Sequence, residues 1–381
     1  MNNASNSDQT AIPCLFMRGG TSRGPFFLES DLPADNPTRD RVLLAVMGSP
    51  DKRQIDGLGG AHPLTSKVGI VGKSARSGVD LEFLFVQLQP DNDSVDTTPN
   101  CGNMLAAVVP FAIEKGLIAV GTDLTTVRVL TRNTDMLCDI SVATAGGYVH
   151  YSGEARIDGV PGTSSPVSIN FLDTAGSVCA GMLPTGHVKD TLNIDAPDIA
   201  PFQIEVTCID NGMPMVLLRA SDLGRSGTET VDAMNNDSEL KSRLEAIRLH
   251  AGLVMGLGDV SKKNYPKMCL TAKPKDGGNI LTRCFIPHVC HDSIGVLAAV
   301  TVATACVLEG SIAEGLAVVP EGQVKLISVE HPSGEFSVEL GLDPDNPQQV
   351  RRAALLRTAR LIMRGEVLVP HSVWNGISND K

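Results

Sequence analysis

NCGNMLAAVVPFAIEKG, Asn100 to Gly116, places a thiol at the mouth of an apolar run that closes on a lysine and a glycine. The apolar spacing, with Lys115 and Gly116 at its end, predicts a helix of about four turns over Cys101 to Lys115, with a basic last turn and a glycine stop. Cys101 then falls at the helix N-terminus. Unpaired backbone N–H groups and the positive end of the helix dipole favour an anion there, either a thiolate or a bound carboxylate. Most free cysteines are buried and inert, and that reading is kept for the other eight. Cys101 differs because Asn and Gly flank it rather than Leu and Val.

The phrase has an echo. NCGNMLAAV at Asn100 matches DSIGVLAAV at Asp292, and SKVGIV around Lys67 matches PKMCLT around Lys267, in the same order. The expected architecture is α+β and duplicated: in each copy strands wrap a central helix, and the copies face each other across a cleft. Ser293 stands where the second copy would need a thiol. Its hydroxyl is far too weakly acidic to mirror Cys101, so two-cysteine racemisation is disfavoured. What survives is an asymmetric pair, Lys67 and Cys101.

Lys67 stands last but one in the phrase IDGLGGAHPLTSKV and leads into an apolar, β-rich stretch. A lysine entering a buried strand loses solvation, and desolvation is how an amine becomes a general base near neutral pH. Gly57, Gly59 and Gly60 just before it suggest either an anion nest or a tight turn with no ligand.

Strands are expected at Cys14–Met17, Lys67–Val71, Leu81–Leu88, Thr126–Leu130 and Tyr148–Ile157, then at Ile204–Ile209, Pro214–Arg219, Met268–Ala272, Ile280–Ile286, Lys325–Glu330 and Glu335–Leu340. Helices are expected at Asp40–Met47, Cys101–Lys115, Ser238–Leu253 and Ser293–Leu308. HPSG at His331 to Gly334 reads as a hairpin turn.

The 381 residues suit two domains. They are drawn at 12–185 and 186–369, the last strand free to cross back to the first domain, with 1–11 and 370–381 as flexible ends. The polar start MNNASNSDQTA and the lack of a membrane-length apolar run give a cytoplasmic expectation. Nine cysteines without CxxC pairs suggest reduced thiols, neither disulfides nor a zinc site. A net charge of −11 argues against nucleic acid as a partner. Exposed strand edges are compatible with a homodimer.

An anionic chain binds an anionic metabolite through a few locally gathered cations. Candidates are Arg18 and Arg23 in MRGGTSRG, Lys67, and Arg283, His288 and His291 in TRCFIPHVCHDS. The bunched HVCH has no second ligand pair elsewhere and is not read as a metal site. No nucleotide-binding glycine motif is present, so no cofactor is expected.

MRGGTSRG, VLLAVMGSPDKRQIDGLGGAHPLTSKV, NCGNMLAAV, CIDNGMPMV, GDVSKKNYPKM, FIPH with CH close behind, and EHPSGEF together resemble the PrpF family, over Ile12 to Val369. The resemblance implies a diaminopimelate epimerase-like fold of two similar domains, each a barrel-like sheet around a central helix. It also implies cofactor-independent isomerisation of small unsaturated di- and tricarboxylates. The branch most similar in its phrases comprises the 4-oxalomesaconate tautomerases and isomerases of gallate and protocatechuate breakdown, ahead of the aconitate and methylitaconate isomerases. Carried over residue by residue, the catalytic lysine falls on Lys67 and the catalytic cysteine on Cys101. Substrate carboxylates would be held by Arg18, Thr21, Ser22 and Ser66, by the helix start at Asn100, Gly102 and Asn103, and by Arg283, His288 and Ser293. Arg23 stands where a lysine is usual, and His62 where an acidic residue is common.

Together these readings predict a lysine-driven allylic or keto–enol proton transfer. Three alternatives stand beside it: an amino-acid epimerase, a cysteine hydrolase or transferase, and a non-catalytic accessory protein to a dehydratase. The sequence assigns no role to Lys267.

Overall fold

Along Ile204–Arg219 neighbouring side chains go to opposite sides of one sheet. Ile209, Met215 and Leu217 pack with Ala298, Ala299 and Val302 of one helix, whereas Val206, Cys208, Val216 and Leu218 pack with Leu240, Leu244 and Ile247 of another. This two-residue period, with both faces apolar, puts a helix on each side of the sheet. The computed structural model describes residues 8–346 and 350–376. Its contacts divide the chain into two units, one running to Leu172 and resuming at Arg357, the other Asp173–Leu356.

In the first unit β1 (Gln9–Gly19), β2 (Ser22–Leu28), β3 (Lys67–Lys73), β4 (Leu81–Leu88), β6 (Leu124–Thr131), β7 (Met136–Ala143) and β8 (Pro166–Phe171) are neighbours in that order, and the short β5 (Val95–Asp96) pairs with β4. The helices are α1 (Asn36–Met47), α2 (Gly102–Leu105) and α3 (Val108–Glu114). The second unit holds β9 (Asp190–Ala196), β10 (Ile199–Asp210), β11 (Pro214–Arg219), β12 (Lys267–Ala272), β13 (Ile280–Phe285), β14 (Val324–His331) and β15 (Gly334–Leu342), with α4 (Val231–Asn236), α5 (Ser238–Val254) and α6 (Val296–Val307). The last strand, β16 (Val350–Pro370), begins beside β15 and ends beside β1.

The duplication expected from the echo is visible in the pairing senses. From β1 to β8 they run antiparallel, parallel, antiparallel, parallel, antiparallel, antiparallel. From β10 to β16 they run in the same order. Parallel neighbours require a crossover. Helices fill both crossovers in each unit: α1 and then α2–α3 in the first, α4–α5 and then α6 in the second. Lys67 and Lys267 each open the third strand of their copy.

The first central helix departs from expectation. Instead of four unbroken turns, the chain breaks at Ala106–Ala107 between α2 and α3. Pro110 lacks an N–H for the carbonyl four residues back, and its ring crowds that carbonyl. Ala106 and Ala107 accordingly donate three residues back, to Asn103 and Met104. The glycine stop is as expected, with Gly116 at φ +70°. In the second copy α6 starts at Val296 rather than Ser293, with Gly295 as its N-cap.

Other boundaries also differ. Tyr148–Ile157 is not a strand; it contributes only the bridge Ala155–Ser164. The unit boundary lies after Leu172 rather than after residue 185, because the Asp210 carboxylate holds the intervening segment. It accepts from Ser177 Oγ at 2.7 Å, Val178 N at 2.7 Å and Cys179 N at 2.9 Å. Of the ends drawn as flexible, Gln9–Ala11 pairs with Leu368–Pro370, and Thr10 Oγ1 donates to Trp374 O at 2.8 Å. Residues 1–7 and 377–381 lie outside the described residues. The HPSG turn is as expected, with His331 paired to Gly334. Among the described residues no helix is long and apolar enough to cross a membrane.

Candidate active site

MRGGTSRG forms the tip of a hairpin rather than a loop. Gly19 pairs with Ser22 and Arg18 with Arg23, so the turn consists of Gly20 and Thr21, and Gly20 takes the positive φ of +53° that such a turn requires. The start of α2 lies against this tip. Asn103 Nδ2 donates to Thr21 Oγ1 at 3.0 Å, and a Cβ at Gly20 would sit 2.1 Å from Asn103 Oδ1.

On the next strand, Gly24 lets the chain close onto Lys67, where a Cβ would lie 1.8 Å from the Lys67 carbonyl oxygen. Gly24→Ala must push the two strands apart by about 1 Å or more, which is expected to cost about 1–3 kcal/mol in stability. With Lys67 as the base expected from the sequence, a displacement of that size is predicted to lower kcat/KM by about 10²-fold. Steady-state kinetics beside urea unfolding of the variant tests both; an unchanged kcat/KM would show that the lysine is not sensitive to this spacing.

Strand β3 sends Val68 and Ile70 outward to α1, so Lys67 turns to the opposite face. It is 8% exposed. Its Nζ donates to Gln87 Oε1 at 2.6 Å, lies 3.8 Å from Cys101 Sγ, and sits 4.8 Å from the centre of the Phe85 ring. Cys101 is the N-cap of α2, and Asn100 Oδ1 accepts from its backbone N–H at 2.8 Å. Ser22 Oγ and Asn103 Oδ1 are buried with no protein hydrogen-bond partner. Lys67, Cys101, Asn100, Asn103, Thr21 and Ser22 therefore belong to one junction of β2, β3 and α2.

The remaining expected site residues are placed elsewhere or are otherwise engaged. Arg18 braces the hairpin: Nη1 donates to Gly20 O at 2.9 Å and Thr358 Oγ1 at 2.9 Å, and Nη2 reaches Ser164 Oγ at 3.4 Å. Burial, and then the neighbouring Arg360, hold its guanidinium below the usual arginine range. Ser66 is fully buried and donates to Gln54 Oε1 and His62 O, both at 2.9 Å. The glycines before Lys67 form no free nest, since Leu58 N, Gly59 N and Gly60 N donate to Val46 O, Met47 O and Thr65 O. His62 Nδ1 accepts from Leu64 N at 3.1 Å, and Arg23 stacks over Phe16.

In the second unit Arg283 donates to Glu229 O and Thr282 O, both at 2.9 Å, and burial lowers its pKa. Its strand neighbour Phe285 belongs to the layer under α5, away from α6. His288 Nδ1 is 3.4 Å from Glu245 Oε2 on α5. Ser293 Oγ lies 3.3 Å from His331 Nε2, and Ser293 N donates to His291 Nδ1 at 2.9 Å. The HVCH residues thus diverge: His288 reaches α5, Cys290 N reaches Asn235 of α4, and His291 meets its own chain.

Two glutamines at the junction were not anticipated. Gln54, 1% exposed, accepts from Ala61 N and Ser66 Oγ and organises the loop that enters β3. Gln87 faces Lys67 across the β3–β4 ladder. A signal for Gln87 was present in LEFLFVQL, where it continues the Leu81, Phe83, Phe85 face as a lone polar residue.

Of the nine cysteines only Cys101 and Cys179 are not buried. Burial and the adjacent Asp210 push the Cys179 thiol up to about 12. Brief treatment with iodoacetamide near neutral pH is therefore expected to label Cys101 first, with Cys179 unmodified on peptide mapping. Labelling spread evenly over several cysteines would contradict this. A separate cavity of about 830 Å³, lined by Glu29, Arg39, Lys73 and Arg132, lies at the other end of β3 and does not include the lysine–cysteine pair.

The sequence matches the family model described as PrpF protein over residues 9–370. A 4-oxalomesaconate tautomerase of Pseudomonas putida is 52% identical over 368 residues, covering 97% of this chain and 99% of the relative. A (4E)-oxalomesaconate Delta-isomerase of a Novosphingobium species is 53% identical over 359 residues, covering 94% and 98%. A crystal structure of a methylitaconate-delta-isomerase superposes with a TM-score of 0.84 at 34% identity, covering 98% of this chain and 99% of the other.

Proposed function

The chain belongs to the PrpF family, and on that premise we propose that it isomerises an unsaturated keto-tricarboxylate, 4-oxalomesaconate, by proton transfer at carbon, without a cofactor. The single observation that carries the reading is the placement of Lys67 Nζ 3.8 Å from Cys101 Sγ at the helix start.

Lys67, as the uncharged amine, removes an allylic proton activated by the substrate ketone. The extended dienolate that results is reprotonated at a distant carbon, which moves the double bond or completes the keto–enol change. Cys101 supplies that proton or holds the intermediate. The Phe85 ring face beneath Nζ favours the ammonium formed when the proton arrives. Ser22 Oγ and Asn103 Oδ1, buried and unpaired by protein, support the reading as groups that would take a polar group of the ligand or an ordered water. Arg18 serves this site by fixing the hairpin tip. The proposal includes a cytoplasmic homodimer with neither nucleic acid nor membrane as partner.

The test is a proton spectrum of 4-oxalomesaconate in deuterated water with the protein added. Catalytic deuterium uptake is expected, and the carbon that takes it up distinguishes tautomerisation from a 1,3-allylic shift. No uptake, with uptake into 3-methylitaconate instead, would move the chain to the methylitaconate branch.

A further inference from the structure

The amide of Gln87 is held in one orientation. The two protons of its Nε2 are shared among three carbonyl oxygens, Leu88 O at 2.9 Å, Pro63 O at 3.1 Å and Ser66 O at 3.2 Å. A flipped amide would set Oε1 against three carbonyl oxygens with no proton between them. Oε1 is thereby fixed toward Lys67 Nζ, from which it accepts at 2.6 Å. An acceptor at that distance engages an N–H of the amine. In the uncharged amine the lone pair must then point away from Gln87, and Cys101 Sγ at 3.8 Å marks one of the directions left.

We propose that Gln87 is a positioning residue for Lys67. It holds the amine by a neutral acceptor, so the lone pair is turned away from Gln87, and it adds no negative charge that would keep the lysine protonated. The inference rests on Lys67 acting as the base. A glutamate at this position would orient the amine equally well but would favour the ammonium, since an opposite charge this close stabilises the charged form by about 1–3 pH units. The acceptor therefore has to be uncharged, as the amide oxygen is, and the three carbonyls around Nε2 keep that oxygen turned to the lysine.

The test compares the whole protein with Gln87→Met and Gln87→Glu. Steady-state kinetics on 4-oxalomesaconate are measured across pH, and the Lys67 side chain is titrated by carbon NMR of protein labelled at lysine Cε, with its signal assigned by loss in Lys67→Met. In Gln87→Met, kcat is expected to fall by about 10- to 100-fold with KM changed less than about twofold. In Gln87→Glu, the acid limb of kcat/KM and the Lys67 titration are both expected to move up by about 1–3 pH units. An unmoved Lys67 titration in Gln87→Glu overturns the proposal, as does wild-type kcat in Gln87→Met. So does a rise in KM with an unmoved pH profile in both variants, which would mark a merely structural side chain. The NMR titration needs no substrate and can overturn the proposal even if 4-oxalomesaconate proves not to be turned over.

Discussion

Lys67→Met is expected to lower kcat on 4-oxalomesaconate by about 10⁴-fold, the upper end of what one positioned base contributes. It should also abolish deuterium uptake from solvent while leaving ligand binding measurable. Methionine follows the path of the lysine stem and keeps most of its packing, so the strand and the Phe85 contact survive. What disappears is the nitrogen between Gln87 Oε1 and Cys101 Sγ. Gln87 Oε1 then lacks its protein donor, and on a half-buried side chain that water can reach this costs about 0.5–1.5 kcal/mol of stability. Loss of activity must therefore be measured on protein shown to be folded. Unaltered exchange in the folded variant would remove Lys67 from its assigned role.

Arg248→Met is expected to destabilise the fold by about 2–4 kcal/mol, because it removes a fully buried guanidinium from backbone carbonyls while Glu245, 28% exposed, is left to solvent. Arg248 is fully buried on α5. Nε and Nη2 grip Glu245 at 2.7 and 2.8 Å, while Nη1 donates to Val260 O at 2.9 Å, Lys263 O at 3.2 Å and Tyr265 O at 3.3 Å. That segment feeds directly into Lys267 at the head of β12, so one guanidinium sets the entry of the chain into the strand. Urea unfolding should show a lower midpoint with little change in slope. A midpoint within experimental error of the wild type would mean that solvent satisfies those carbonyls.

Lys67, Cys101 and the doubling of the fold were legible because each is written in local sequence. NCGN followed by an apolar run announces a helix start, and the recurrence at Asp292 announces a second copy. Other features carried no such local mark. Pro110 was in plain view, but whether it bends the central helix or breaks it depends on the crowding around Ala106. β16 reads RRAALLRTARLIM, a run rich in alanine, leucine and arginine, which are helix formers. It is a strand because β15 and β1 offer it paired edges. Arg18, Ser66, Arg283 and His288 have the right chemistry for carboxylate binding, yet the first three hydrogen-bond to Thr358, Gln54 and Glu229, and His288 lies 3.4 Å from Glu245. Sequence marks what a side chain can bind but not which neighbour reaches it first.

The amino-acid order alone determined the class of chemistry and the repeating framework, because helix starts, strand alternation and repeated phrases are properties of contiguous residues. Tertiary structure alone decided which groups share the lysine–cysteine junction. Lys67 and Gln87 meet through strand register, and Cys101 meets them because glycines at 20 and 24 allow the hairpin, β3 and α2 to approach within contact distance. Register and close approach are set by segments far apart in the chain, and no local pattern encodes a distance between them.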